Sequence, residues 1–534
     1  MSTNPRKIRV PAQEDLANLP PNQSFQHMTG LIRKHPHNPI LWHNRAYVVL
    51  QMGYPDQAIS DAKHACDLIK SGQPQVVSAL TSYLSCNLEK NIRENIEFEH
   101  AERKFACEAL YTYARALIVS RFQGDDLKIA LISLKDAMSR LPHDADFQIK
   151  AKRLEEQGKK EYHNFLEYLK SNKDHIALRA IKRPGMRDGR YPWDTMDARG
   201  RTARTKEGLR ELDKEYNEVL DKLGASKVEA RFAICYRITG GPNNVQETTG
   251  FTADDLQVGM YAKRPIRNGE SVLCERAIAN VNLRLNNDVR CEHCNVVCDH
   301  LVRRHECPRC QIIYCSTRCR KEADATYHKV LCKRHHQFEW FFEQARKART
   351  TPVTFPLQVV KLFAMSLQTS TPLLELPGIT HLRPWSPARD GVSYLIASTV
   401  TYYYPRILEA FEIGPEQWLD YDYWIYETLC RMIMGNSFRI QAREDGKTSG
   451  LKIFEATSWF NHSCDPNCQV SGVDQVEAIR PISSGEELTI TYCESDIPRA
   501  DRQDKLELSF GFECTCSRCE AEDVVTVTLG SMMI

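Results

Sequence analysis

Four closely spaced ligand pairs constrain this chain more than any hydrophobic pattern does. They are Cys291-x2-Cys294, Cys307-x2-Cys310, Cys315-x3-Cys319 and His328-x3-Cys332. A gap of two or three residues lets one turn present both donor atoms to a single ion. Eight donors of this kind make two tetrahedral Zn2+ sites. The segment must therefore fold around metal, whatever surrounds it. Cys298 and His305 are spare donors, so spacing alone leaves the partners of the first pair open. Arg303, Arg304, Arg309, Arg318, Arg320, Lys321, Lys329, Lys333 and Arg334 surround the ligands. They either offset the thiolate charge or form a basic surface for an acidic partner.

Composition narrows the setting. Twenty cysteines follow an N-terminus, Met1-Ser2-Thr3-Asn4-Pro5-Arg6-Lys7, with no apolar stretch behind it. A secretory signal is not expected, and a nuclear or cytoplasmic reducing compartment is, where such pairs are metal ligands rather than disulfides. A net charge of +2 argues against nucleic acid as the main partner. No apolar run reaches the roughly 18 residues of a spanning helix, so no membrane partner is expected.

With 534 residues the chain exceeds one core, and several domains are expected. Residues 1–36 read as an N-terminal extension. Over 37–180 the spacing of Trp42, Ala46, Gly53, Ala58 and Ala65, and then of Ala130, Ala137 and Pro142, resembles tetratricopeptide repeats. Small residues there let antiparallel helices approach closely. Residues 181–226 read as a linker rich in Gly, Pro and Arg, followed by an amphipathic helix striped by Leu209, Leu212, Tyr216, Val219, Leu220 and Leu223. From Val228 the period changes to two, the signature of a half-buried strand. A turn phrase occurs twice, Arg264-Pro265-Ile266-Arg267-Asn268-Gly269-Glu270 and Arg480-Pro481-Ile482-Ser483-Ser484-Gly485-Glu486, each with Gly for a left-handed position. Residues 333–435 read as a helical insert whose aromatics (Tyr402, Tyr403, Tyr404, Trp418, Tyr421, Tyr423, Trp424 and Tyr426) are mostly core, with a few lining a channel.

Three further motifs follow in order. Asn461-His462-Ser463-Cys464-Asp465-Pro466-Asn467-Cys468 comes first, then Gly485-Glu486-Glu487-Leu488-Thr489-Ile490-Thr491-Tyr492, then Cys514-x-Cys516-x2-Cys519. This trio resembles the core and post-SET of a SET-domain protein-lysine methyltransferase, and the 291–332 string resembles a MYND finger. Together they look close to the SET and MYND domain-containing methyltransferase family. The resemblance implies a multidomain α+β architecture. Helical repeats precede a β-rich SET fold (227–290 and 436–495), which is interrupted by the finger (291–332) and the helical insert, and then come a cysteine-rich post-SET segment (496–520) and a tail (521–534).

What the resemblance implies for chemistry is specific. S-adenosylmethionine is the expected cofactor, contacted by Gly259, Met260, Tyr261, Asn436, Asn461, His462, Tyr492 and Phe512. Tyr492 is the expected reacting-centre tyrosine, and Ser458 and Phe510 line the lysine channel. In the finger the pairs interleave: Cys291, Cys294, Cys315 and Cys319 hold one Zn2+, and Cys307, Cys310, His328 and Cys332 the other. Cys464, Cys514, Cys516 and Cys519 hold a third, tying the tail across the site. Expected partners are a protein presenting a lysine (histone or not), a proline-containing peptide at the finger, and a peptide or chaperone at the repeats. The sequence departs from the family where Gln257-Val258-Gly259 replaces Gly-x-Gly and where Phe510 replaces a tyrosine. It also ends soon after Cys519, without the family's usual C-terminal helical domain. These departures support a second reading, a catalytically degenerate adaptor that recruits partners through repeats and finger.

Overall fold

The computed structural model describes residues 20–87, 95–120, 124–171, 191, 193, 206–234, 256–285, 288–298, 305–384, 399–442, 445–471, 474–510 and 512–522. They fall into two compact units. One comprises Met1–Asp194 with Arg389–Glu427, the other Thr195–Ala388 with Thr428–Ile534.

The first unit is helical: Pro21–Lys34, Pro39–Gln51, Pro55–Ser71, Pro74–Asn87, Asn95–Ser120, Gly124–Arg140 and Ala145–Ser171. The first four begin with Pro, whose fixed φ suits a first helical turn and whose missing N–H costs nothing there. Trp42, Ala46, Ala58, Ala65, Ala130 and Ala137 are all fully buried where helices meet. Gly53, at φ +84°, makes the turn between two of them.

Two boundaries differ from the sequence reading. Part of the expected extension is the helix Pro21–Lys34, which buries Phe25, Met28 and Ile32, so the layer starts before position 37. Arg389–Glu427, expected to sit with the SET region, clusters instead with the N-terminal helices. The reason is a buried polar and aromatic match. Arg45, with no exposed surface, pairs with Asp61 at 2.7 Å and Asp422 at 2.9 Å. Gln57 Nε2 donates to both carboxylates at 2.8 Å. Trp418 stacks on His64, with ring centroids 4.0 Å apart, and meets Trp42 edge-on. A buried guanidinium stripped of such partners is strongly destabilising. Tyr404, Tyr421, Tyr423 and Tyr426 are thus core of the helical unit rather than channel lining. Of the expected linker, Tyr191 and Trp193 are described: Trp193 stacks on Phe25 and the Tyr191 hydroxyl donates to Asp56. The rest of 183–205 lies outside the described residues.

The second unit opens with the helix Lys206–Lys222, whose Leu212, Tyr216 and Leu220 are buried as their stripe predicts. Twelve strands follow among the described residues: β1 Val228–Ile234, β2 Leu256–Ala262, β3 Ser271–Cys274, β4 Ala279–Asn282, β5 His305–Glu306, β6 Ile313–Tyr314, β7 Ser437–Gln441, β8 Thr448–Ile453, β9 Asn461–His462, β10 Cys468–Ser471, β11 Gln475–Ala478 and β12 Glu487–Ile490. They form small sheets ordered β1-β2-β12-β9, β10-β11-β3, β4-β8-β7 and β5-β6. The repeated turn phrase makes two matching turns, with Gly269 at φ +77° and Gly485 at φ +81°. The two lie side by side through an antiparallel bridge between Ile266 and Ile482. In each, a glutamate three residues on accepts a backbone N–H: Arg267 to Glu270 at 3.0 Å and Ser483 to Glu486 at 2.9 Å.

Candidate active site and metal centres

Strand β12 is the hub of the site. It runs antiparallel to β2, with Glu487 opposite Tyr261 and Leu488 opposite Met260. On its other side it runs parallel to β9, with Thr489 opposite Asn461 and Ile490 opposite His462. Motifs more than 200 residues apart in sequence thus share one sheet. Side chains alternate along a strand, so Gly259 and Tyr261 share a face while Met260 points the other way. Met260 has no exposed surface and belongs to the β-core, so its side chain is a packing residue and not a ligand contact. A Cβ on Gly259 would stand 3.0 Å from Glu487 Oε1, 3.0 Å from the Tyr261 ring and 3.2 Å from Asn461 Nδ2. Asn461 Nδ2 donates to Glu487 Oε1 at 2.8 Å and to the Val258 carbonyl at 3.2 Å. Gly259, Tyr261, Asn461 and Glu487 therefore form one group. Gln257 lies on β2 opposite Ala233.

Adjacent on β9, His462 opens a second group. Its Nδ1 accepts the Tyr492 backbone N–H at 3.0 Å, and its Nε2 is 3.3 Å from Cys464 Sγ. Burial, helped by the Arg502 charge, lowers its pKa to about 4, so the ring is neutral at neutral pH. The Tyr492 hydroxyl donates to the Phe460 carbonyl at 2.7 Å. Phe510 lies 4.7 Å from the Tyr492 ring, and Phe512 lies 6.0 Å from His462 and 6.4 Å from Tyr492. Desolvation among these rings, with the Glu487 charge adding to it, pushes the phenol above its usual range.

The approach to β9 is held by a residue that no motif flags. Glu275 is a buried carboxylate that accepts the N–H groups of Glu455, Ala456 and Thr457 and the Thr457 hydroxyl, all at 2.8–2.9 Å. It caps the 3-10 turn Ala456–Trp459, which carries Ser458 and leads into Asn461. Ser458 is half-buried and donates to the Phe454 carbonyl at 2.7 Å. Asn436 ends the helix Tyr423–Asn436, where its amide nitrogen donates to the Arg383 and Met432 carbonyls. Asn467 pins β12 from the next loop: its Oδ1 accepts Thr489 N–H at 2.8 Å and its Nδ2 donates to Glu487 O at 2.7 Å. Glu487 sits inside the quoted motif, and its acidity beside an amide-bearing strand was the available signal. Asn467 likewise sits inside the Asn461–Cys468 motif, whereas Glu275 gave no such signal.

Three clusters have donor sets that fit zinc: Cys291, Cys294, Cys315 and Cys319; Cys307, Cys310, His328 and Cys332; and Cys464, Cys514, Cys516 and Cys519. Sulfur separations of 3.5 Å (Cys294–Cys315), 3.8 Å (Cys307–Cys332) and 3.9 Å (Cys464–Cys514) bracket the edge of about 3.8 Å that a tetrahedron with Zn–S near 2.3 Å requires. The finger pairs interleave as the resemblance implied. Cys298, bonded to the Val296 carbonyl, and His305, beside Thr317, stand outside both sets. His328 Nε2 faces Cys310 while its Nδ1 meets the Tyr314 hydroxyl at 2.9 Å, the outer partner that fixes a ligating imidazole. Among the described residues no helix is long and apolar enough to cross a membrane.

The SET domain family matches residues 257–493. The chain is 27% identical over 284 residues to mouse histone-lysine N-methyltransferase SMYD3, covering 51% of this chain and 61% of that protein. To pig N-lysine methyltransferase SMYD2 it is 26% identical over 270 residues, covering 50% and 58%. To the SET domain and MYND-type zinc finger protein 6 of Schizosaccharomyces pombe it is 28% identical over 244 residues, covering 45% of each. It thus spans about three-fifths of the length of the first of these relatives. A SET match that encloses the interleaved finger, with a relative named for the same two modules, makes this chain similar to SET domain and MYND-type zinc finger proteins over about half of its length.

Proposed function

We propose that this protein is an S-adenosylmethionine-dependent protein-lysine N-methyltransferase. The observation that carries this reading is the convergence at β12 of two groups: Gly259, Asn461 and Glu487 in one, and Tyr492 walled by His462, Phe510 and Phe512 in the other. The residues suit the cofactor. The Cβ-free Gly259 lets a carboxylate and an amide close tightly over the strand, a polar pair that matches a charged amino-acid head, and Phe512 suits a flat purine. Asn436, Ser458 and Tyr261 join the proposed site through their motif positions. S-adenosylmethionine, when bound, supplies an electrophilic methyl carbon.

The chain's own task is alignment of a neutral amine rather than covalent catalysis. The Tyr492 proton is committed to Phe460 O, which leaves the phenol oxygen as an acceptor that orients an incoming amine. Its raised pKa keeps it protonated at neutral pH, so it positions and does not serve as the base. Aromatic rings around it exclude water and suit the apolar stem of a lysine. We further propose that the finger docks a proline-containing peptide, that the repeat-like helices take a peptide or chaperone, and that the protein works in the nucleus or cytoplasm. The adaptor reading is not favoured, because Phe510 packs directly on Tyr492 within an intact aromatic wall.

The test is methyl transfer from labelled cofactor to a protein extract, with calorimetry of cofactor binding. Tyr492→Phe is expected to bind the cofactor like the wild type and to lose turnover. Wild-type turnover in that variant, or no cofactor binding by the wild type, overturns the proposal.

A further inference from the structure

Arg502 is 1% exposed, and its guanidinium is turned onto the third cysteine cluster. Its Nε donates to Cys464 Sγ at 3.2 Å, and an Nη2 hydrogen faces Cys519 Sγ at 3.7 Å. The remaining donors reach the Ile497 carbonyl at 2.8 Å and Glu522 at 2.6 Å. Glu522 is one carboxylate on a buried cation that touches two sulfurs. Four thiolates around Zn2+ carry net negative charge, so the guanidinium neutralises the cluster while it hydrogen-bonds the ligands.

Cys464 is approached from a second side. A backbone N–H only donates, so His462 Nδ1, which takes the Tyr492 N–H, carries the lone pair. The proton of the neutral ring then sits on Nε2, 3.3 Å from Cys464 Sγ, where a thiolate accepts it. One sulfur thus serves as metal ligand, as acceptor for Arg502 and as acceptor for His462. The imidazole spans from that sulfur to the backbone of Tyr492.

We propose that Arg502 and His462 are positioning residues: Arg502 sets how firmly the C-terminal metal is held, and His462 transmits its presence to Tyr492. The second half takes its functional meaning from the transferase reading; the first stands without it. Partners one bond beyond a metal ligand are worth about 10–100-fold in affinity.

The experiment uses the zinc-loaded full chain with a colorimetric chelator titration. In Arg502→Met, which keeps the stem and loses charge and donors, one of the three ions is expected to leave at a chelator concentration lower by about 10–100-fold. The two finger ions stay as in wild type and report that the chain is folded. Arg502→Lys, which keeps the charge and loses the fixed Nε donor, falls between. For His462, peptide-resolved hydrogen exchange follows the segment containing Tyr492. Stripping the third ion is expected to speed exchange there in wild type, whereas in His462→Asn exchange is fast with the ion bound. Retention of all three ions by Arg502→Met as firmly as wild type overturns the role of Arg502. Exchange at Tyr492 that ignores the metal overturns that of His462. Neither readout involves the methyl donor, so a wild type that fails to bind it would sink the transferase reading and leave these results standing.

Discussion

Removing the Glu487 carboxylate tests the site at its least obvious member. Asn461 Nδ2 has two acceptors, Glu487 Oε1 at 2.8 Å and the Val258 carbonyl at 3.2 Å. The shorter and charged one decides which way the amide faces. A hydrogen bond to a charged group contributes about 1.5–3 kcal/mol. Glu487 is half-buried and partly screened, so the lower half of that range applies, about 1.5 kcal/mol. If Asn461 must be oriented to hold the methyl donor, Glu487→Ala should raise the cofactor Kd by about tenfold, since 1.4 kcal/mol is a factor of ten. Glu487→Gln keeps an amide oxygen at the same reach and should stay within about threefold of wild type, a loss of under 1 kcal/mol. Isothermal calorimetry with S-adenosylmethionine measures both, and a thermal melt checks that β12 is intact. Wild-type affinity in Glu487→Ala, with the fold unchanged, would refute the idea that this pair orients the site. Equal loss in both variants would mean that charge, and not the hydrogen bond, is what matters.

Other expectations follow from the same geometry. Gly259→Ala puts a methyl group 3.0 Å from Glu487 Oε1 and 3.2 Å from Asn461 Nδ2, and should weaken cofactor binding with little change in the melt; tighter binding would contradict this. Gly450→Ala is a stability lesion instead. Its Cβ would lie 2.2 Å from the Val281 carbonyl oxygen, a backbone atom between paired strands, so a loss of about 3 kcal/mol in urea unfolding is expected, and a neutral effect would mean the β4–β8 pairing is misplaced. His381 gives a pH dependence. It lies 2.5 Å from Glu455 and 3.0 Å from Glu215; burial opposes its charge, but the two carboxylates outweigh burial and raise its pKa. Its stabilising contribution is full below the unfolded value of about 6.5 and disappears as pH rises through the higher folded value. Melts should therefore fall from about pH 6.5 upward, and His381→Gln should flatten that slope. The opposite slope would remove this clamp from the account.

How far the sequence reached depends on what each residue needs in order to act. A zinc ligand is legible because paired donors within one turn are useful for little else, and the clusters at 291–332 and 514–519 fall where their spacing puts them. The stripe on Lys206–Lys222 and the alternation from Val228 are legible for the same reason, since periodicity is a local property. The face of Met260 is legible too: period two sets its side chain opposite to the face of Gly259 and Tyr261.

Other features need distance to be closed. Glu275 caps a turn 180 residues away, and Arg502 finds its sulfur partner 38 residues back, so neither has a neighbour in sequence that reveals its task. The partner of Arg389–Glu427 was hidden in the same way. Asp422 and Trp418 read as ordinary insert residues until Arg45 and His64 supply the buried charge and ring they match. The amino-acid order alone settled which chemical groups this protein owns and the local periodicity that sorts them into helix, strand and finger. The tertiary structure alone decided which groups meet, because hydrogen bonds and ion pairs act over about 3 Å, and only folding brings residues hundreds of positions apart to that range.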